Sequence, residues 1–147
     1  MLDALAQLGV TTQCVTPHQK ANQYLPTWEA VTAAYQTVSN ARRDHHPTLH
    51  LAAENMWDNV FHERISSEQI PAYQNCRSFL FELPPPALPT NVAATLFRLR
   101  IAGWTPVLAH PERYHALWAN ESLVRELLGT CAFVLDLPAL AGYHGKS

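Results

Sequence analysis

The order helix, glycine, strand, histidine occurs twice in this chain, at residues 2–18 and again at 92–110, and that recurrence limits the fold more than any other feature. In the first copy Leu2, Leu5 and Leu8 share a helical face, Gly9 closes the helix, Val10–Thr16 reads as a strand, and Pro17-His18 ends it. In the second, Val92, Leu96, Leu99 and Ile101 mark an amphipathic helix from Asn91 to Ala102. Gly103 closes it, Trp104–Ala109 forms the strand, and His110 follows. The stretches between fit the same rhythm. Thr27 is a fitting N-cap, with Glu29 at the positive end of the dipole, and Trp28, Val31, Ala34, Tyr35 and Val38 keep the helical period to about Arg43. Thr48–Ala53 is a second strand ending at Glu54, and 55–65 is partly helical. Ser78–Phe81 is a third strand ending at Glu82, then Leu83 and the proline run Pro84-Pro85-Pro86, which stops the strand and stiffens its exit. Asn120 caps a helix over Leu123–Leu128, Gly129 lies past its end, and Ala132–Leu137 is a fifth strand before Pro138.

Strands alternating with helices at this spacing form a parallel sheet with right-handed crossovers, so the fold class is α/β. A barrel is favoured over an open sheet because no strand leads into a glycine-rich phosphate loop or a dinucleotide fingerprint. The 147 residues make about one domain. A net charge of −2 leaves no electrostatic footprint for nucleic acid. No apolar run approaches the ~18 residues of a spanning helix, and no signal peptide opens the chain, so no membrane insertion is expected. Three cysteines, Cys14, Cys76 and Cys131, have no metal-type spacing, and an odd count argues against a disulfide framework. The reduced cytoplasm is the expected compartment.

In a parallel α/β arrangement, polar residues at the carboxyl ends of strands gather on one face. Four successive strands end in His18, Glu54, Glu82 and His110, so two imidazoles and two carboxylates are expected to converge. That donor set suits Zn²⁺, Mn²⁺ or Fe²⁺, and two or more such ions would clamp a phosphate and activate water. Arg113 adds a planar, bidentate donor suited to phosphate oxygens. The adjacent His45 and His46 sit in a polar loop and are expected to be solvated. No cysteine has an arginine at the offset of a cysteine-phosphatase loop, since Lys20, Glu82 and Leu137 stand six residues on. A Gly-x-Ser-x-Gly elbow is also missing from the sequence.

Several stretches together resemble the PHP (polymerase and histidinol phosphatase) superfamily. They are Gly9-Val10-Thr11 through Val15-Thr16-Pro17-His18, Ala53-Glu54, Phe81-Glu82-Leu83-Pro84 and Ala109-His110-Pro111-Glu112-Arg113-Tyr114. Within it they are most similar to the bacterial capsule and exopolysaccharide branch, the metal-dependent protein-tyrosine phosphatases. The tail Leu137-Pro138-Ala139-Leu140-Ala141-Gly142-Tyr143-His144-Gly145-Lys146 resembles the segment that follows in that branch. The resemblance implies a distorted (β/α)7 TIM-like barrel with two or three divalent metals, manganese first, with iron, magnesium or zinc as alternatives. It implies hydrolysis of phosphotyrosine on a bacterial tyrosine kinase of polysaccharide export, with a metal-bound hydroxide as nucleophile. By position, His18, Glu54, Glu82 and His110 become metal ligands and Arg113 a phosphate contact.

The family's opening His-x-His pair and its later Asp-x-His pair have no counterpart in residues 1–147. The expectation is a single, partial barrel domain over 1–147, with about five of seven strands, truncated at both ends. Such a chain is expected to show reduced activity or none and to carry open edges through which copies can pair. Two rival readings carry different expectations: a phosphatase of the same type acting on a small phosphate ester, and a degenerate, non-catalytic domain that only binds a partner.

Overall fold

The computed structural model describes residues 1–84, 88–118 and 120–142, with the Leu140 side chain left aside. Pro85 and Pro86 of the proline run, and the Tyr143–Lys146 part of the tail, lie outside the described residues. The expected α/β alternation is present throughout. Helix α1 (Leu2–Gln7) ends at Gly9, whose φ of +80° is the left-handed turn that releases the chain into β1 (Thr12–Val15). Pro17 has no N–H to give a ladder, and the strand resumes beyond it as β2 (His18–Gln19). Helix α2 (Trp28–Asn40) starts where Thr27 accepts a hydrogen bond from the Ala30 N–H, at 3.2 Å. Strand β3 (Thr48–Leu51) and strand β4 (Glu54–Met56) are likewise two pieces of one path, parted at Ala52-Ala53. Helix α3 (Asn59–Ser66) follows, capped by Asp58.

Strand β5 (Ser78–Glu82), helix α4 (Val92–Ile101) and strand β6 (Thr105–Ala109) form the next unit, with Gly103 at φ +83° between the last two. A 3-10 turn (Pro111–Arg113) leads through α5 (His115–Trp118) to α6 (Glu121–Leu128), strand β7 (Ala132–Val134) and α7 (Leu137–Leu140).

All strand pairs are parallel. A five-stranded sheet runs β2-β4-β5-β6-β7, and β1 pairs with β3 beside it. The register offset of β1 on β3 continues unchanged from β2 to β4, and two hydrogen bonds, Ala52 N–H to Val15 O and Glu54 N–H to Pro17 O, carry the ladder across the break. Five strands were therefore legible as paths, but two of them are interrupted. The fifth strand is also shorter than expected, because Leu137–Leu140 turns into a helix behind Pro138, which sits at its start.

The period-two alternation of strands assigns opposite faces of the sheet opposite chemistry. Phe79, Phe81 and Leu108 have no exposed surface and pack with Phe61, Leu96, Leu99 and Leu127 beneath α3, α4 and α6. Trp57, Phe61, Phe79, Phe81 and Trp104 make a chain of tilted and edge-on ring contacts with centroids 5.4–6.0 Å apart. Each buried phenylalanine contributes roughly 1.5–3 kcal/mol. Leu80 and Glu82 face the other way, and that second face carries the candidate site.

Candidate metal centre

His18 and Glu54 were expected at strand ends. Instead each opens the second piece of an interrupted strand, where they are direct register partners. In a parallel pair, registered side chains lie on the same face, so the break advances both groups toward the carboxyl end of the sheet without separating them. Glu82 closes β5 opposite Met56, two residues beyond Glu54, and so shares its face. His110 is the first residue past β6. Its N–H still donates to the Val134 carbonyl at 2.8 Å, but its φ of +35° turns the backbone into the left-handed region. For a non-glycine residue directly before a proline that conformation is strained, and strain of this kind collects at functional sites.

The four side chains come together. Glu54 meets both imidazoles: it accepts a hydrogen bond from His110 Nε2, 3.0 Å from Oε1, and pairs with His18, whose Nε2 lies 3.2 Å from Oε2. His110 Nε2 is also 3.6 Å from Glu82 Oε2, and the ligand atoms of His18, Glu54 and Glu82 all lie within 4.8 Å of one another. The side chains of Glu54, Glu82 and His110 are 12%, 14% and 17% exposed, whereas His18 is 53% exposed. Two carboxylates therefore share a largely dehydrated spot. Burial pushes the Glu54 carboxyl up, but the His110 hydrogen bond and the charges of His18, His110 and Arg113 outweigh it and hold it below the usual value. Glu82 goes the other way: burial first, then the charge of Glu54, raise it despite the pull of His18, His110 and Lys20. The pair thus has one carboxylate whose charge is favoured and one whose charge is opposed by burial and by its neighbour. A divalent cation would offset that opposition, and two imidazoles with two carboxylates are a donor set that suits one.

Arg113 lies on the rim of the same region. It lines an open cavity of about 400 Å³ with Glu54, Leu80, His110 and Asp136. Its guanidinium donates to Asp136 Oδ2 at 2.5 Å, and the Asp136 N–H donates to Glu112 Oε1 at 3.3 Å. Asp136 was not singled out by the sequence, because nothing in Leu135-Asp136-Leu137 distinguishes it until Arg113 is placed beside it. Tyr114 closes the Ala109–Tyr114 motif, where the sequence assigns it no role. Its buried hydroxyl accepts from the Leu83 N–H at 2.9 Å and lies 3.4 Å from His110 Nδ1.

A second histidine cluster corrects the expectation that His45 and His46 are merely solvated. Their Nε2 atoms lie 2.9 and 2.8 Å from Asp3 Oδ1, and the His46 side chain is only 7% exposed. His46 Nδ1 accepts the Arg43 N–H at 3.1 Å, so its ring proton is on Nε2 and is donated to Asp3. That tautomer makes His46 a donor to Asp3 and not a free ligand, and the cluster ties α1 to the loop after α2.

The cysteines offer no nucleophile in the cavity. Burial pushes the Cys131 thiol up to about 12 and raises Cys14 as well, Cys76 is exposed, and none of the three lines the cavity.

The whole chain, residues 1–147, matches the family described as capsular polysaccharide synthesis, CpsB/CapC. The chain belongs to that family. It is 26% identical over 149 residues to the tyrosine-protein phosphatase YwqE of Bacillus subtilis, covering 99% of this chain and 59% of that protein. It is 29% identical over 122 residues to the tyrosine-protein phosphatase CpsB of Streptococcus pneumoniae, covering 82% of this chain and 50% of that one. A solved structure from the study of YwqE and CpsB, metal-dependent tyrosine phosphatases, superposes with a TM-score of 0.79 at 24% identity, over 99% of this chain and 60% of the other. The chain thus spans half to three-fifths of the length of the relatives it matches. The family and the fold read from the sequence are those that the comparisons show. Among the described residues no helix is long and apolar enough to cross a membrane.

Proposed function

We propose that this chain is the metal-binding part of a protein-tyrosine phosphatase of the capsule and exopolysaccharide type, acting on a phosphorylated bacterial tyrosine kinase in the cytoplasm. On this reading residues 1–147 are one portion of a (β/α)7 barrel, and His18, Glu54, Glu82 and His110 hold divalent ions, manganese before iron, zinc or magnesium. The observation that carries it is the meeting of two dehydrated carboxylates with two imidazoles on one face of the sheet. Bound ions would supply the Lewis acidity and water activation that phosphoester hydrolysis needs.

The chain's own residues do the rest. Glu54 holds both imidazoles in place, and the left-handed turn at His110 aims its Nε2 at the carboxylates. Arg113 offers its guanidinium to the cavity, with Asp136 fixing its direction, so that a phosphate arriving there meets a fork of N–H donors. That the names of YwqE and CpsB are those of tyrosine phosphatases favours an aryl phosphate over a small alkyl ester.

The test is phosphate release from a phosphotyrosine peptide, and from a small alkyl phosphate, by a chain of the relatives' length loaded with Mn²⁺. Faster release from the peptide, loss on chelation, and indifference to alkylation of the exposed Cys76 are expected. Activity that survives chelation but not thiol alkylation would contradict the proposal.

A further inference from the structure

The geometry points to Tyr114 as a positioning residue for the metal centre: its hydroxyl lets His110 move its ring proton from one nitrogen to the other and present a bare Nε2 to a cation. This rests on the reading of His110 as a ligand. It concerns a residue that touches neither ion nor substrate.

His110 Nε2 lies 3.0 Å from Glu54 Oε1, and a carboxylate only accepts, so in the neutral ring the proton is on Nε2. Nδ1 is then a bare acceptor, and the group beside it is the Tyr114 hydroxyl, 3.4 Å away. That oxygen already accepts the Leu83 N–H at 2.9 Å, so its own proton is free to point at Nδ1. The hydrogen bonds form one directed chain: Leu83 N–H to Tyr114 O, Tyr114 O–H to His110 Nδ1, His110 Nε2–H to Glu54. To hold a cation, His110 would have to give up that last proton. The ring stays neutral only if it releases the Nε2 proton to solvent and takes one from solvent at Nδ1. Nδ1–H then needs an acceptor, and metal-bound histidines almost always have one.

A hydroxyl serves in both states, donating before the exchange and accepting after it. Tyr114 is 2% exposed, so its hydroxyl is held in a fixed place beside the ring. Leu83 directly follows Glu82, so the same oxygen also ties the exit of the Glu82 strand to the His110 ring. The sharp turn that brings Tyr114 under His110 is the 3-10 turn over Pro111–Arg113.

The experiment is calorimetric titration of Zn²⁺ alone into four forms of the chain: unaltered, Tyr114→Phe, His110→Ala, and both. All carry Asp3→Asn, so that the second histidine cluster adds no heat. Thermal melts report that each is folded. The expected result is a loss of affinity of about tenfold on Tyr114→Phe, within the 10- to 100-fold range of such partners, and no further loss in the His110→Ala background. A loss of equal size in both backgrounds overturns the inference, because Tyr114 would then act through Leu83 alone. Unchanged affinity on Tyr114→Phe overturns it too, while leaving the metal site standing. An unaltered chain that takes up no Zn²⁺ removes the reading of the site and the inference together. If Tyr114→Phe does not fold, long-range ¹⁵N–¹H spectra of the His110 ring at pH 8 decide: Nε2–H without Zn²⁺ and Nδ1–H with it are expected. Nδ1–H in the metal-free protein contradicts the inference.

Discussion

Two clusters of histidines on carboxylate oxygens stand among the described residues, and they differ in what they leave unbalanced. At Asp3, one exposed carboxylate meets two imidazoles, and His46 is fixed as a donor by the Arg43 N–H. The group is complete as it stands, and those hydrogen bonds, from His45 first and His46 second, hold the Asp3 carboxyl down to about 2. At Glu54 and Glu82, two largely buried carboxylates meet two imidazoles, and the second carboxylate is pushed upward by burial and by its neighbour's charge. Similar residue types thus make a closed latch in one place and a site that wants a cation in the other. What separates them is the excess of buried negative charge, not the count of histidines.

The sharpest way to break this contrast is to remove one carboxylate from each cluster. Glu54→Gln is expected to weaken Mn²⁺ or Zn²⁺ binding by at least about 100-fold, at or beyond the top of the range for outer-shell partners. Asp3→Asn is expected to leave affinity within about twofold, since His46 offers no free nitrogen. Titration calorimetry reads both. Equal losses would erase the distinction.

A smaller effect with the opposite sign comes from Glu82. A carboxyl whose folded value is raised favours the fold below its ordinary value of 4.5, and that contribution is lost as pH rises through the folded value. Metal-free Glu82→Gln is therefore expected to melt higher than the unaltered chain at pH 7, by roughly 2–4 °C for each kcal/mol relieved, and to lose that advantage below about pH 4. Glu54 runs the other way: with its folded value lowered, its contribution is present above 4.5 and fades as pH falls through the folded value. Melting curves of both glutamine variants across pH check the two signs. A Glu82→Gln form that melts lower at pH 7 without metal would show that the site is balanced without a cation.

The smallest effect belongs to the latch. Asp3 is exposed, so Asp3→Asn is expected to shift the melt at pH 7 by little more than the error of the measurement. Its contribution, held by a carboxyl at about 2, is present above the ordinary value of 3.8 and lost as pH falls through 2. A large drop in melting temperature would mean that α1 depends on the latch far more than an exposed pair allows.

Much of the fold was legible because it rests on local pattern. Gly9 and Gly103 do adopt the left-handed turns that their places after helices require, and Thr27 and Asn120 do cap the helices they precede. The Phe79/Phe81 alternation separates the core face from the site face in five residues. The strand interruptions were harder to foresee. Pro17 signals one, but Ala52-Ala53 is broken because it faces Pro17 across the ladder, which is a tertiary fact. The grouping of His18, Glu54, Glu82 and His110 followed from strand order alone. The partners of Arg113 and of His46 did not, since Asp136 and Asp3 lie 23 and 43 residues away. Tyr114 was hidden for another reason: an aromatic residue in a motif reads as packing until its hydroxyl is seen between Leu83 and His110.

The most direct test of the central claim is an anomalous difference map from crystals of this chain soaked in Mn²⁺. The expected result is a peak within about 2.0–2.3 Å of Nε2 of His18 or His110 and of a carboxylate oxygen of Glu54 and Glu82, with nothing at Asp3. A peak at Asp3, His45 and His46 with none among the four, or those four side chains drawn apart around water, would contradict it.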